Sequence, residues 1–259
     1  MIKALKRVFQ LIGIDVKRIN NRNFDAILKE IFLVIGLDQP ILDVGAHNGS
    51  SVRRFRNAFG PKPEIFSFEA NPELYKLLKQ DLSLSSNLKV YNNIVCDKDG
   101  EIQAFNIHQT STGSSSMLAL DFNTRFAQRR GVSAETISIC NVPTISLDFF
   151  ASKLPTSRIS LLKIDTQGSE LDVLNGAVGL LSRSEIDVIE FELITHSGYV
   201  GRGGYFEVLN LLDKNGYKLI AISNDSRWAP SGFFDLLKNP ELQFDLIFVS
   251  ALVYKKIAV

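Results

Sequence analysis

The run Ile41-Leu42-Asp43-Val44-Gly45-Ala46-His47-Asn48-Gly49-Ser50 restricts the folds open to this chain more than any other stretch. An apolar segment that closes on an acid and breaks into small residues is how a parallel strand hands over to a nucleotide-binding turn and helix. Gly45 and Gly49 stand four positions apart with Ala46 between them, so the backbone can approach a ligand and present N–H groups at the helix start. A second apolar segment, Phe66-Ser67-Phe68, closes on Glu69, twenty residues past Gly49, where a carboxylate can accept both hydroxyls of a ribose. Together they predict a nucleoside cofactor lying across the strand ends of an open α/β sheet.

With 259 residues, 45% of them hydrophobic and 22% charged, the chain can bury one sizeable core. A formal net charge of +1 argues against a polyanionic main partner, because phosphate-backbone binding needs a concentrated basic surface; no nucleic acid is expected. Cys96 and Cys140 form no CxxC pair and have no histidine at metal-ligand spacing, so they read as buried thiols of a reducing, cytoplasmic compartment. After Lys3, Lys6 and Arg7 the apolar positions are soon interrupted by Asp15, Lys17 and Arg18, which reads as neither a secretion signal nor a membrane span. Residues 1–30 hold seven Lys or Arg against three acids, an excess that suits either weak contact with an anionic membrane surface or a solvated helix face.

Residues 1–38 read as a helical segment, with Phe24, Ile27, Leu28, Ile31, Phe32 and Ile35 at helical spacing before Asp38 and Pro40. Residues 39–259 read as one domain in which strands and helices alternate, the pattern of a parallel sheet covered on both faces. Asp99-Gly100 is expected to turn a hairpin joining Ile94–Cys96 to Ile102–Ile107, and a helix is expected through Leu147–Leu154. The polar stretch Thr110–Ser133 reads as a functional lid or a disordered insertion. A single helix is expected over Ser169–Leu181, followed by a strand Ile186–Ile194 on which Glu190 and Glu192 share a face.

These motifs, together with Lys163-Ile164-Asp165-Thr166-Gln167-Gly168-Ser169-Glu170, Val173-Leu174-Asn175-Gly176-Ala177 and Phe244-Asp245-Leu246-Ile247-Phe248-Val249, resemble the FkbM family of S-adenosylmethionine-dependent methyltransferases. The resemblance implies a class I methyltransferase (Rossmann-like) α/β fold: a seven-stranded sheet of order 3-2-1-4-5-7-6, helices on both faces, and the strand of Asp245 antiparallel. It implies that Asp43, Gly45, Ala46 and Gly49 form the loop under the methionine end of S-adenosylmethionine, with Asn48 hydrogen-bonding in the same loop. Glu69 would hold the ribose, Ala70 would neighbour the adenine, and the third-strand end from Asn93 to Val95 would contact it. His47 departs from the Asn or Tyr expected there; it either touches the methionine carboxylate or points to solvent. Ser114-Ser115-Ser116 resembles paired serines that the family carries after its third strand.

The implied reaction is methyl transfer to a hydroxyl of a sugar, a glycan precursor or another small metabolite, as in polysaccharide or secondary-metabolite biosynthesis. A hydroxyl is a poor nucleophile while protonated, so a positioned base, worth about 10²- to 10⁴-fold, is expected. The candidates at strand ends are Asp165, Glu192 and His196. Each has a structural alternative: Asp165 as a helix cap, Glu190 or Glu192 as a partner of Lys163, His196 and likewise His108 as histidines without chemical duty. Glu170 suits the helix dipole better than catalysis. Two separated carboxylates make a weak metal signature, and no metal is expected. Ser114–Ser116 with Arg125, Arg129 and Arg130 would shape a polar or anionic acceptor site, and the glycine-rich Gly198–Gly204 would close over it. Two other readings compete. A nicotinamide oxidoreductase should carry a third glycine near position 50, where Ser50 stands, and a non-catalytic cofactor-binding protein would keep the core without an acceptor pocket.

Overall fold

A computed structural model of the protein describes residues 17–18, 24–81, 87–194, 198–201, 204–224 and 243–258. The chain enters through a two-residue strand β1 (Lys17–Arg18) and helix α1 (Phe24–Ile35), which buries Phe24, Leu28, Ile31 and Phe32 along one face. The first two units of the alternation follow as β2 (Ile41–Val44), α2 (Ser50–Phe59), β3 (Ile65–Phe68), α3 (Pro72–Asp81) and β4 (Leu88–Tyr91). β2 and β3 are buried at every position, as strands covered on both faces must be. Then come β5 (Ile94–Val95), β6 (Ile102–His108), α4 (Arg125–Arg129), β7 (Ile137–Ile145), α5 (Leu147–Ala151) and β8 (Ile159–Ile164). The chain closes with α6 (Glu170–Asn175), α7 (Val178–Ser182), β9 (Ile186–Ile194), α8 (Tyr205–Lys214), β10 (Lys218–Asn224), β11 (Gln243–Val249) and α9 (Ala251–Ile257).

The main sheet runs β4-β3-β2-β8-β9-β11-β10-β1. Without β1 this is the order 3-2-1-4-5-7-6, and β11 is antiparallel to both of its neighbours. One apolar layer joins the sheet to α5, α6, α7 and α8, through Phe150, Leu174, Leu180 and Leu212 among others. The other joins it to α1, α2 and α9 through Leu28, Phe55 and Val253. Burying both faces fixes where the strand ends lie, and the carboxyl ends of β2, β3 and β8 meet at one edge of the sandwich.

Several local expectations need correction. Lys17–Arg18 pairs in parallel with Ala221 and Ile222 of β10, so residues 1–38 are not helical throughout; the remainder of 1–23 lies outside the described residues. Asp99-Gly100 makes no hairpin between β5 and β6, because β7 lies between them in a small sheet of order β5-β7-β6. The turn instead clamps the end of β7: Asp99 accepts the Ser146 N–H at 2.6 Å and the Ser146 hydroxyl at 3.0 Å. The helix expected over Leu147–Leu154 ends at Ala151. The helix expected over Ser169–Leu181 is two helices, broken at Gly176, where a Cβ would collide with the Cys96 carbonyl. The Asp148 carboxylate accepts the N–H groups of Gly179 and Leu180 at 2.7 and 2.8 Å, satisfying the exposed start of α7. The stretch Thr110–Ser133 is folded: a 3₁₀ turn at Thr112–Ser114 and α4 enclose an apolar cluster of Leu120, Phe126, Ala127, Val132 and Tyr199.

Candidate functional site

A cavity of about 160 Å³ lies at the carboxyl ends of β2, β3 and β8, walled by Gly45, Glu69 and Asp165 and roofed by Thr112, Ser115 and Met117 of the inserted stretch. Its floor follows from the turn after β2. Gly45 has φ 79°, and a Cβ there would collide with the Asp165 carbonyl oxygen, so only glycine lets the two strand ends approach. Gly45 and Ala46 both donate to the Phe68 carbonyl at 3.0 Å, which fixes the turn against β3.

Glu69 is buried, yet both carboxylate oxygens have donors: the His47 N–H at 2.6 Å and the Asn71 N–H at 2.8 Å. Burial pushes its pKa up to about 7 against those two hydrogen bonds. The carboxylate is therefore aimed and still has lone pairs for a diol. Ala70 and Asn93 line the same cavity, beside Phe68, Ile94, Val95 and Phe105, which supply an apolar surface for a planar base. The Asn93 amide donates to the Pro143 carbonyl at 3.1 Å.

Asp43, Asn48 and Gly49 stand apart from this wall. Asp43 is fully buried and accepts the Ser51 hydroxyl at 2.7 Å, with Lys163 Nζ 3.4 Å away. Asn48 caps the Ser50 N–H at 3.1 Å on the outer side of the turn, and Gly49, at φ 77°, starts α2. Lys163 also donates to the Gly45 carbonyl at 3.0 Å and lies 3.7 Å from Asp165. Burial alone would lower its pKa, but Asp43, Asp165 and Glu190 overcome that and raise it. The ammonium thus ties the turn after β2 to the end of β8.

The expected pairing of Glu190 or Glu192 with Lys163 takes another form. Glu190 receives both Nη groups of Arg54 at 2.7 Å, a bidentate pair across the face of the sheet. Glu192 and Asp165 share one donor: Gln167 Nε2 lies 2.9 Å from Glu192 and 2.8 Å from Asp165. Burial, then the neighbouring charges of Asp165, Asp245 and Glu170, push Glu192 up to about 8, opposed by the Gln167 hydrogen bond. Asp165 lines the cavity and Glu192 does not. Asp165 makes no helix cap; Glu170 accepts the N–H groups of Thr166 and Gly168 instead. His196 lies outside the described residues.

The inserted stretch behaves differently from a loose acceptor loop. Ser114 and Ser116 are fully buried, Ser114 accepting Arg130 Nη1 at 3.1 Å, while Ser115 lines the cavity and accepts the His108 N–H at 3.1 Å. Arg130 lies over the Phe126 ring at 4.9 Å, Arg129 is exposed, and the side chain of Arg125 lies outside the described residues. His47, φ 49°, turns its ring toward this stretch: Nε2 is 3.0 Å from Thr112 Oγ1, and burial holds its pKa below the usual value. Residues 198–201 of the glycine-rich segment are stitched to the insertion, with Val200 N–H donating to Ala119 at 2.8 Å and the Tyr199 hydroxyl to the Ser114 carbonyl at 2.9 Å. Gln167, Lys163 and Thr112 all line the cavity without having been singled out for it from sequence. The signal for Gln167 was its place two residues after Asp165, beside a glycine; nothing in sequence marks Thr112.

Among the described residues no group of His, Cys, Asp and Glu is arranged to hold a metal ion, and no helix is long and apolar enough to cross a membrane. The model of the methyltransferase FkbM domain matches residues 43–219. The 2-O-methyltransferase NoeI of Sinorhizobium fredii (strain NBRC 101917 / NGR234) is 25% identical over 159 residues, 60% of this chain and 63% of its own length. The chain thus spans less than two thirds of that relative. The crystal structure of methyltransferase FkbM from Methylobacillus flagellatus KT aligns with 80% of this chain and 43% of its own, at 13% identity and a TM-score of 0.44. Magnesium protoporphyrin IX methyltransferase (ChlM) from Synechocystis PCC 6803, solved with bound SAM, aligns with 88% of this chain and 78% of its own, at 8% identity and a TM-score of 0.46.

Proposed function

The chain belongs to the FkbM methyltransferase family, and from that premise we propose that it is an S-adenosylmethionine-dependent O-methyltransferase whose acceptor is a hydroxyl of a sugar, glycan precursor or other small metabolite. One observation carries the reading: a single cavity is walled on one side by a carboxylate held ready for a diol, Glu69, and on the other by a carboxylate fit to take a proton, Asp165. The residues fit the cofactor. Gly45 and Ala46 give a turn without bulk under the methionine end, Glu69 takes the ribose hydroxyls, and Ala70, Asn93 and the apolar wall take the adenine. Asp43 and Asn48, and with them Gly49, act from behind by shaping the turn.

When bound, S-adenosylmethionine supplies a methyl carbon whose bond to sulfur breaks with its electron pair as the acceptor oxygen attacks, leaving a neutral thioether. Asp165 takes the proton that the hydroxyl gives up, because it faces the cavity whereas Glu192 sits behind it. Thr112, Ser115 and Met117 close the roof and exclude water, which strengthens each electrostatic contact inside. A hydroxylated acceptor agrees with the polar lining around Asp165 and with the 2-O-methyl transfer named for NoeI. Cys96 and Cys140, both free thiols, fit a reducing, cytoplasmic setting.

The test is an acceptor screen read by mass spectrometry for the gain of one methyl, with S-adenosylhomocysteine released in equal amount. Calorimetry should show binding of S-adenosylmethionine and none of a nicotinamide dinucleotide. The opposite preference would overturn the cofactor assignment.

A further inference from the structure

Three described residues other than glycine have positive φ, and two of them, His47 and Gln167, line the cavity. Gln167, at 54°, sits in the left-handed region that glycine adopts freely, next to Gly168 at 105°. A glycine at 167 would fit this backbone with less strain, so the chain bears a local cost to place this side chain here. That side chain is buried, and its amide nitrogen reaches Asp165 at 2.8 Å and Glu192 at 2.9 Å. Both of its N–H groups are thereby used, one on each carboxyl.

We propose, on the basis of the methyl-transfer reading above, that Gln167 is the positioning residue of the accepting site: by donating to both carboxyls it sets Asp165 against the cavity with Glu192 behind it, and the two act as one proton-accepting unit. Two carboxylates this close repel, so taking up one proton relieves the repulsion, and the pair is a stronger base than an isolated carboxylate. With Glu192 pushed up to about 8, the form of the pair that can accept a proton from the acceptor hydroxyl is populated as pH rises through about 8, and the hydrogen bonds from Gln167 stabilise that charged form. The other charged and titratable groups facing the pair are Lys163 from β8, Asp245 from β11, Glu170 from α6, His47 from the turn after β2, and Tyr199. None of them is altered by a change at position 167.

Two variants separate this role from a structural one. Gln167→Met keeps the volume and removes the N–H groups; Gln167→Gly removes them and relaxes the backbone. Carboxyl titration by NMR of protein carrying ¹³C-labelled Asp and Glu side chains, with signals assigned through Asp165→Asn and Glu192→Gln, needs neither cofactor nor acceptor. In both variants the upper apparent pKa of the pair should rise by about one unit, a tenfold gain in proton affinity. With an accepted hydroxyl substrate, the acid limb of kcat/KM should move to higher pH by the same amount. An unchanged titration in the variant or variants that fold overturns the proposal, and so does a Gln167→Gly protein that melts below the wild type with its titration intact. The titration decides the role of Gln167, whereas failure of every hydroxyl acceptor in the screen would count against the methyl-transfer reading on which it rests.

Discussion

At the scale of single residues the site turns on Glu69, whose carboxylate is buried with its two oxygens held by backbone N–H groups. Burial raises its pKa to about 7, so in the ligand-free protein part of the population is protonated at neutral pH. Ribose hydroxyls donate, and only the ionised carboxylate accepts from both. Binding must therefore expel the proton, and affinity should rise as pH increases through about 7 and fall below it. Calorimetry with S-adenosylhomocysteine in two buffers of different ionisation heat should show proton release near pH 6 that vanishes by pH 8. Glu69→Ala should weaken binding by about 100-fold, the loss of two charge-assisted hydrogen bonds of about 1.5 kcal/mol each; wild-type affinity would contradict the ribose assignment. This residue is legible in sequence because an acid closing an apolar strand has a fixed place relative to the strand end. Lys163 was read only as an ion-pair partner, since strand residues show their neighbours on adjacent strands only once the register is known: Lys163 lies opposite Asp43 on one side and Glu190 on the other.

At the scale of elements, close approach of backbone decides which glycines matter. At Gly45 and Gly176 a Cβ would meet the carbonyls of Asp165 and Cys96, whereas at Gly113 it would meet nothing. Gly45→Ala and Gly176→Ala should each cost at least about 2 kcal/mol in urea unfolding, and Gly113→Ala should stay within about 0.5 kcal/mol. A mild Gly176→Ala would mean that α6 and α7 are not held apart by that contact. The strands from Ile41 to Val44 and from Ile65 to Phe68 follow from their apolar runs. The break between α6 and α7 does not, because Leu171, Val173, Leu174 and Val178 keep helical spacing straight across it, and its cause lies in a carbonyl far away in the chain. The misplaced hairpin at Asp99-Gly100 has a similar origin: a turn dipeptide marks a reversal, but β7, arriving some forty residues later, takes the pairing position.

At the scale of the whole molecule, the layer of α1 and α2 is tied to the sheet by an ion pair that no local pattern announces. Arg54 of α2 and Glu190 of β9 are 136 positions apart in the chain, and Arg54 Nε also lies 3.5 Å from Asp25 of α1. Burial would lower the Arg54 pKa, but the charge and hydrogen bonds of Glu190, joined by the charges of Asp25 and Asp43, together outweigh it and raise the pKa. Arg54→Met should leave Glu190 buried without its partner and cost about 3–5 kcal/mol, much of which the added Glu190→Met should recover, as chemical unfolding would show. The strand order, by contrast, came with the family motifs, three of which sit at the carboxyl ends of β2, β3 and β8 while a fourth spans β11. What the motifs did not reveal is β1, laid along the outer side of β10. An open ladder of N–H and C=O groups at Ala221 and Ile222 would invite a second copy to add its own strand there. A chain shortened past Arg18 should therefore self-associate as its concentration rises in light scattering, so that Lys17 and Arg18 would guard the protein against polymerisation whether or not they ever touch a substrate.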